Sequence, residues 1–251
     1  MNNQETDILK LAYDAGAKEE YQRLATPDGR IEFSKVCSAI EKYTKPGSVI
    51  YDIGCGPGRY TEYLINKGYY VGCVDLSEKS LALFDERMQG TQNDKILFLK
   101  TGCASELNWI DSESADTILL LGPMYHITNE MKRRSVISHC HRILKKGGYV
   151  ISMFMSPYPT LTSQLLDDSN LLEITEKENC VITTTSFKGF IVPQYRCWPK
   201  KAITEFQHFF TETDIIHVDE VQPHILNKRS KLKVNENYSH QYFVVYKKES
   251  D

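Results

Sequence analysis

The spacing of apolar residues changes once along the chain, and the change separates two kinds of structure. Over residues 6–43 apolar side chains recur at helical spacing, and the turn residues 26–29 divide this stretch into two helices. Over residues 49–154 short β-rich runs alternate with helix-length segments. Such alternation predicts βαβ units and a largely parallel sheet.

Five strands are expected in the alternating region, and two more follow it after an interruption. The seven strands are predicted at Val49–Ile53, Tyr70–Val74, Ile96–Leu99, Thr117–Leu121, Tyr149–Phe154, Ile215–Val221 and Gln241–Tyr246. Helices are predicted at residues 59–67, after the N-cap Ser77, at Met131–Lys145 and around Lys200–Phe210. The pattern therefore indicates an α/β fold with a doubly wound sheet.

The interruption covers residues 155–198. It contains prolines, a polar and acidic helical stretch (Leu165 to Glu178), and a hairpin with arms Val181–Phe187 and Phe190–Tyr195. We expect three parts: a helical segment 1–45, a sheet domain 46–154 and 199–251, and an inserted lobe 155–198. The lobe is rich in aromatic side chains, which suit a planar or apolar ligand, the lobe's own core or a dimer contact: Tyr158, Phe187, Phe190, Tyr195 and Trp198.

Composition narrows the class of protein. A chain of 251 residues with a formal charge of −3 has no general field for polyanions, so a nucleic-acid or anionic-membrane partner is not expected. The N-terminus lacks the basic and apolar segments of a signal peptide, and no window has the length of a membrane span. Seven scattered cysteines suit reduced thiols, which favours a soluble, cytoplasmic protein.

A glycine-rich loop follows the first predicted strand. Its spacing is Gly54-x-Gly56-x-Gly58, whereas the dinucleotide fingerprint places its third glycine one residue later. Asp52 would repel a pyrophosphate but could hold an ammonium group, and Asp75 ends the second strand where a carboxylate can accept from ribose hydroxyls. Asp52 could instead be a strand-end carboxylate that caps the next helix, and Asp75 a surface aspartate before the N-cap Ser77. Together they favour a sulfonium nucleoside with an amino-acid end over a dinucleotide.

Several segments carry a family resemblance at the right order and spacing. They are Val49–Leu76, Gly102–Ala104, Ala115–Thr117, Leu119–His126 and His141–Gly148. Over residues 45–155 the chain resembles the class I S-adenosylmethionine-dependent methyltransferases, in particular a bacterial subgroup with a Leu-Leu-Leu-Gly-Pro run followed by an aromatic residue and histidine. The resemblance implies a Rossmann-like, mostly parallel sheet of seven strands with the last antiparallel, helices on both faces, and an inserted lobe after strand 5 that covers the substrate.

The resemblance also implies a cofactor, S-adenosyl-L-methionine, and the residues that hold it. In the sheet domain these are Asp52, Gly54, Cys55, Gly56, Gly58, Asp75, Leu76, Cys103, Ala104 and Leu121. Many relatives have aspartate at the position of Cys103, which puts one adenine hydrogen bond in doubt. The stretch 20–24 resembles the subgroup's lid helix, so Tyr21 and Arg23 are candidates to close over the cofactor, with a solvated amphipathic helix as the alternative.

Tyr125 and His126 are the candidates for catalysis. They follow the fourth strand at the sheet edge where open α/β sheets bind ligands, and histidine titrates near neutrality. Methyl transfer from a sulfonium is an in-line displacement that needs a base only for a protonated acceptor. The alternative is that Tyr125 packs under the cofactor and His126 caps the next helix.

Two further clusters suggest no chemistry by themselves. His139-Cys140-His141 has neighbours that point in different directions on a helix, so no metal is expected. The basic run Lys228–Lys233 reads as a solvated loop, or as a contact for an anionic substrate group.

Three functions remain open on the sequence. The first is a methyltransferase for a small-molecule acceptor, acting as a monomer or homodimer. The second is a non-catalytic protein that binds S-adenosylmethionine or S-adenosylhomocysteine, and the third is an NAD-type oxidoreductase, which Asp52 and the glycine spacing disfavour. The acceptor, and whether nitrogen, oxygen, carbon or sulfur is methylated, are left open.

Overall fold

The computed structural model describes residues 3–89, 93–157, 180–218 and 240–250. The helices are α1 (Asn3–Arg23), α2 (Pro27–Tyr43), α3 (Arg59–Asn66), α4 (Glu78–Met88), α5 (Glu130–Ile143) and α6 (Pro199–Phe206). The strands are β1 (Val49–Ile53), β2 (Tyr70–Asp75), β3 (Ile96–Thr101), β4 (Ala115–Leu120), β5 (Leu144–Met155), β6 (Cys180–Phe187), β7 (Phe190–Cys197), β8 (Thr211–His217) and β9 (Gln241–Lys247). The predicted helix at Leu165–Glu178, Tyr158 and the basic run Lys228–Lys233 lie outside the described residues.

The strands form one mixed sheet. Seven of them run in the order β3-β2-β1-β4-β5-β9-β8, and the first five are parallel. The last strand, β9, is antiparallel to both of its neighbours, β5 and β8. This arrangement confirms the expected mostly parallel sheet, and it places the carboxyl ends of β1, β2, β3 and β4 along one edge.

The strand count differs from the prediction of seven, because the described sheet has nine strands. The two additional strands are the hairpin β6–β7, which joins the sheet through the parallel pair Met155 and Arg196. Strand β5 is 12 residues long and continues past its last pairing with β4, at Ser152. Its free edge there accepts β7, so the hairpin stands directly beyond the carboxyl end of β4.

Element boundaries differ from prediction where two signals compete. Helix α5 ends at Ile143 rather than Lys145, because β5 already begins at Leu144. Strand β8 occupies Thr211–His217, earlier than the predicted Ile215–Val221. Its partner β9 sets its register, pairing His217 with Tyr242, and a strand with half-exposed faces gives little sign of its ends.

Helices cover both faces of the sheet, and each face has its own core. Alternate residues of β4 supply the two cores, Ile118 on one side and Leu119 on the other. The first core contains residues of α1, α5 and α6, and the second contains residues of α2, α3 and α4. Among the residues that the structure describes, no helix combines the length and apolarity needed to cross a membrane.

Helix α1 lies across the carboxyl edge of the sheet. At one point Asp14 accepts a hydrogen bond from the Ser77 hydroxyl at 2.6 Å, next to the end of β2. At another, Gly16 lies against the ring of Phe187 on the hairpin, where a Cβ would overlap the ring. The ion pair between Glu19 and Lys188 (2.5 Å) adds a second link to the hairpin. Helix α1 and the hairpin therefore meet above the strand ends.

Candidate functional site

A cavity opens at the carboxyl edge, beneath α1. The empty space there, counted together with the part open to solvent, is about 1020 Å³. Twelve of the fourteen residues predicted from sequence line it: Arg23, Asp52, Gly54, Cys55, Gly56, Asp75, Leu76, Cys103, Ala104, Leu121, Tyr125 and His126. The fold therefore brings the glycine loop, the two aspartates and the candidate catalytic pair to one cavity.

The other two predicted residues, Gly58 and Tyr21, are not part of the lining. Gly58 is the N-cap of α3 with φ of 81°, and a Cβ there would overlap the buried ring of Phe84. The Tyr21 hydroxyl donates to Glu62 at 2.8 Å. Gly58 thus serves helix packing in this structure, and Tyr21 contacts α3.

Gly56 has a different reason to be glycine. Its φ is +55°, and a Cβ built on it would have nothing within 4 Å. Because Gly56 lines the cavity, that free space belongs to the cavity. Gly54, by contrast, has the ring of Pro123 2.6 Å from where its Cβ would be. Of these loop glycines, Gly56 is the one whose missing side chain leaves room for a ligand.

Two carboxyl groups line the cavity with different partners, that of Asp52 buried and that of Asp75 half-buried. Asp52 accepts a hydrogen bond from the Thr61 hydroxyl at 2.8 Å, and Asp75 accepts from the backbone N–H groups of Gly56 (2.7 Å) and Ser77 (2.8 Å). Burial raises the pKa of Asp52 to about 7, against the lowering effect of the Thr61 hydrogen bond. Burial also raises the pKa of Asp75 to about 6, opposed by the two backbone hydrogen bonds. Both groups would gain from a cationic ligand.

His126 is held between α1 and the hairpin. Its Nδ1 lies 3.4 Å from the carbonyl oxygen of Pro193, which can only accept, so the proton is assigned to Nδ1. Nε2 is then free to accept from the Tyr13 hydroxyl, 2.6 Å away. Burial lowers the pKa of His126 to about 4, so the imidazole is uncharged at neutral pH.

Tyr125 stands beside this pair. It ends a 3-10 turn, Pro123–Tyr125, and its ring centroid lies 4.6 Å from that of His126. Burial raises the pKa of its hydroxyl above the ordinary value, so Tyr125 is a neutral phenol. The wall formed by Tyr13, Tyr125 and His126 is therefore aromatic and uncharged.

An ionic cluster at the same cavity was not found from the sequence. Arg23 donates to both carboxylate oxygens of Glu32, at 2.6 and 3.0 Å, and its Nε donates to Glu20 at 2.7 Å. Glu32 is buried although it is charged, whereas Ile31, expected on the apolar face of α2, is 50% exposed. The sequence did contain a signal for the burial of Glu32. Glu32 lies four residues before Val36, which is buried, and this helical spacing places both on the same face of α2.

Other lining residues were not among the site residues predicted from sequence. They include Leu9, Tyr13, Glu20, Leu24, Pro57, Arg59, Tyr60, Pro123 and Ile127. Most are apolar or lie on α1, and their place depends on how α1 docks. Across the described residues, no three His, Cys, Asp or Glu side chains group as a metal site would require.

Comparisons with known proteins agree with this geometry. Residues 50–148 match the family described as Methyltransferase domain. A ubiquinone biosynthesis O-methyltransferase of Hahella chejuensis is 27% identical over 107 residues, covering 43% of this chain and 43% of that protein. A malonyl-[acyl-carrier protein] O-methyltransferase of Paenibacillus sp. is 26% identical over 162 residues, covering 62% and 57%. The chain spans about half the length of these curated relatives.

Solved structures share the fold. The Burkholderia thailandensis 1,6-didemethyltoxoflavin-N1-methyltransferase, solved with 1,6-didemethyltoxoflavin and S-adenosylhomocysteine, superposes with a TM-score of 0.67 at 15% identity, covering 100% of this chain and 91% of that one. The matched segment 50–148 holds the glycine loop, both aspartates and the Tyr125–His126 pair. Residues 50–148 are therefore similar in sequence to a methyltransferase domain, and the fold of the chain is shared with solved methyltransferases.

Proposed function

We propose that the chain is an S-adenosylmethionine-dependent methyltransferase that acts by direct in-line transfer to a small-molecule acceptor. The observation that carries this proposal is the open space beside the Cβ position of Gly56 in a cavity that is also lined by the buried carboxyl group of Asp52 and the half-buried one of Asp75. A sulfonium nucleoside with an amino-acid end brings positive charge and ribose hydroxyls, which those carboxylates suit. The methyltransferase match supports this reading over an NAD-type oxidoreductase.

The residues present fit the cofactor. Asp52 would hold the ammonium group and Asp75 the ribose hydroxyls, while Leu76 and Ala104 give the adenine an apolar wall. When bound, the cofactor supplies an electrophilic methyl group on sulfur. The protein's part is to align the acceptor with that methyl and to exclude water.

The side of the cavity next to Tyr13 and His126 suits a small methyl acceptor whose nucleophilic oxygen or nitrogen carries a proton. The Tyr13 oxygen can take a proton from an acceptor O–H or N–H while the Tyr13 proton passes to His126 Nε2, 2.6 Å away. The imidazolium so formed keeps its Nδ1–H directed at the Pro193 carbonyl. Helix α1 and the hairpin cover this wall, which favours a small molecule over a macromolecular acceptor. Tyr125 would orient the acceptor or contact the methyl group through its ring.

The function is tested first by ligand binding. Calorimetric titration should show that the protein binds S-adenosylhomocysteine and does not bind NAD. Transfer of a labelled methyl group is then measured with panels of phenolic, carboxylic and heterocyclic small molecules, beside transfer RNA and protein acceptors. Binding with no transfer to any of them favours the non-catalytic alternative, and preference for NAD contradicts the proposal.

The role of His126 gives a separate prediction. On an acceptor identified from the panel, His126→Gln should lower kcat by roughly 100-fold with little change in S-adenosylhomocysteine affinity, because a positioned base contributes on the order of that factor. His139→Gln is the control, since His139 lies on α5 and not in the cavity lining. Undiminished turnover by His126→Gln would exclude the proposed proton transfer.

The raised pKa values predict how binding depends on pH. Because the pKa of Asp52 is about 7 in the folded protein, above the ordinary 3.9, the carboxyl is partly protonated near pH 6, and a cationic ligand must ionise it. S-adenosylhomocysteine affinity should therefore rise with pH, by roughly 20-fold between pH 5.5 and 7.5 if only the ionised form binds. The stability of the ligand-free protein should change in the opposite direction, falling as pH rises from about 4 to 7.

Two variants check the assignment to Asp52. Asp52→Asn should bind more weakly at pH 7.5 and lose most of the pH dependence, leaving the smaller contribution of Asp75. Asp85→Asn, on the exposed face of α4, should behave as the unaltered protein. A full pH dependence in Asp52→Asn would show that another group is responsible.

A further inference from the structure

Arg59 lines the cavity, and among the residues that the structure describes no carboxylate pairs with it. It is the first residue of α3, directly after the glycine loop, and it lines the cavity. Within the described part of the chain no ion pair or hydrogen bond engages its guanidinium, which lies over the ring of Tyr21 at 5.0 Å and that of Phe33 at 5.8 Å. The two rings hold the side chain by cation–π contact and leave its N–H groups free to donate.

Arg23, the arginine that the sequence suggested as a cofactor contact, already has carboxylate partners. Three of its nitrogens donate to Glu20 and Glu32. Burial acts to lower the pKa of Arg23, but the hydrogen bonds and charges of these glutamates outweigh it and raise the pKa. A ligand carboxylate at Arg23 would have to compete with buried Glu32, which would then lose its partner in a nonpolar environment.

We infer that Arg59, and not Arg23, binds the carboxylate of the cofactor's amino-acid end; this inference rests on the proposed function. An α-amino acid is a zwitterion, so its binding site needs an anionic side chain for the ammonium group and a nearby cationic side chain for the carboxylate. Asp52 and Arg59 lie on either side of the glycine loop, and both line the cavity. The guanidinium can donate two parallel hydrogen bonds to a carboxylate, and the positive end of α3, whose N-cap Gly58 has no side chain, adds to the attraction.

The same geometry gives Tyr21 a role. The guanidinium groups of Arg59 and Arg87 lie 5.0 and 3.9 Å from the centroid of its ring. Its hydroxyl donates a hydrogen bond to Glu62. Tyr21 is therefore a positioning residue, which keeps α1 and the start of α3 in fixed relation.

The test compares two ligands that differ only in the carboxylate: S-adenosylhomocysteine and its decarboxylated analogue. Calorimetry should show that Arg59→Gln weakens S-adenosylhomocysteine binding by roughly 10- to 100-fold, the range for a charge-assisted pair, and leaves the affinity for the analogue unchanged. Arg87→Gln, an arginine on the same tyrosine but outside the lining, should preserve the preference for the carboxylated ligand. Thermal melting of each variant establishes that it is folded.

Two outcomes overturn the inference. Arg59→Gln could weaken both ligands equally, which would mean that Arg59 supports the loop without contacting the carboxylate. Arg23→Gln could abolish the preference for the carboxylated ligand, which would return the role to Arg23. If the unaltered protein binds neither ligand, the proposed function itself fails and the inference with it.

Discussion

Gly56→Ala should reduce S-adenosylhomocysteine affinity by roughly 10- to 100-fold while the protein stays folded. The Cβ would project into the cavity, where nothing of the protein lies within 4 Å of it. A methyl group forced into space that a ligand occupies costs about 1–3 kcal/mol, which corresponds to this range of affinity. The variant has no clash in the free protein, so the loss should appear on binding.

The chain offers a matched control for backbone strain. Gly47 also has positive φ, +82°, and nothing within 4 Å of its Cβ, but it lies in the turn between α2 and β1 and not in the cavity lining. Alanine at either position should cost about 1 kcal/mol of stability, because both positions have positive φ, which is unfavourable for a residue with a Cβ atom. Calorimetry and thermal melting of both variants should show similar melting shifts but lost affinity only in Gly56→Ala. Equal affinities would contradict the placement of the cofactor over Gly56.

The second large effect is on stability. Arg133→Met should lower the free energy of unfolding by about 3–5 kcal/mol, because it removes the nearer cation of the buried Glu205 carboxylate and leaves, among the described residues, only the ammonium group of Lys201, 3.9 Å away. The two side chains, from α5 and α6, are only 4% and 5% exposed and approach to 2.9 Å. Tyr195, on β7, donates to Glu205 at 2.8 Å and lies under the Arg133 guanidinium at 3.6 Å.

Arg133 also fixes the loop that carries His126. One of its terminal nitrogens donates to the carbonyl oxygens of Ile127 (2.9 Å) and Thr128 (2.8 Å). The ion pair thus connects the loop that carries His126 with helices α5 and α6 and with the hairpin. Loss of Arg133 should loosen the position of His126 as well as the fold.

Chemical denaturation of a double-variant cycle separates the charge effect from packing. Arg133→Met/Glu205→Met should recover much of the stability lost in either single variant, because the pair is replaced by apolar side chains of similar length. Arg134→Met is the control, since the neighbouring pair Arg134–Glu130 is 71% and 51% exposed and should have no measurable effect. Additive losses in the cycle would mean that Arg133 and Glu205 act independently.

The local sequence was sufficient for the parallel half of the fold. Strands β1 to β4 and helices α2 to α4 were predicted close to their observed bounds, because each has a dense apolar pattern bounded by glycine or turn residues, or by a capping residue such as Ser77. The glycine loop, Asp52 and Asp75 were found for the same reason. They lie at strand ends, and the ends of parallel strands meet at one edge whatever the rest of the chain does.

The hairpin was predicted, but its place in the sheet was not. The turn at Lys188–Gly189 is a local signal, with φ of 52° and 80°. The single pairing of Met155 with Arg196 depends on how far β5 extends past β4. A sheet edge left free by unequal strand lengths cannot be read from either strand alone.

By itself, then, the sequence determined the order of elements, the cavity edge and many of the residues that line the cavity, because these follow from local periodicity and fixed spacing. Only the tertiary structure decided which polar groups pair. Tyr13 meets His126 across 113 residues and Arg133 meets Glu205 across 72. It also placed Arg59 over the ring of Tyr21, with no carboxylate partner among the described residues, while Glu32 engaged Arg23. Such pairings depend on how helices dock and which rotamers burial allows, and a charged side chain's neighbours in sequence do not fix either.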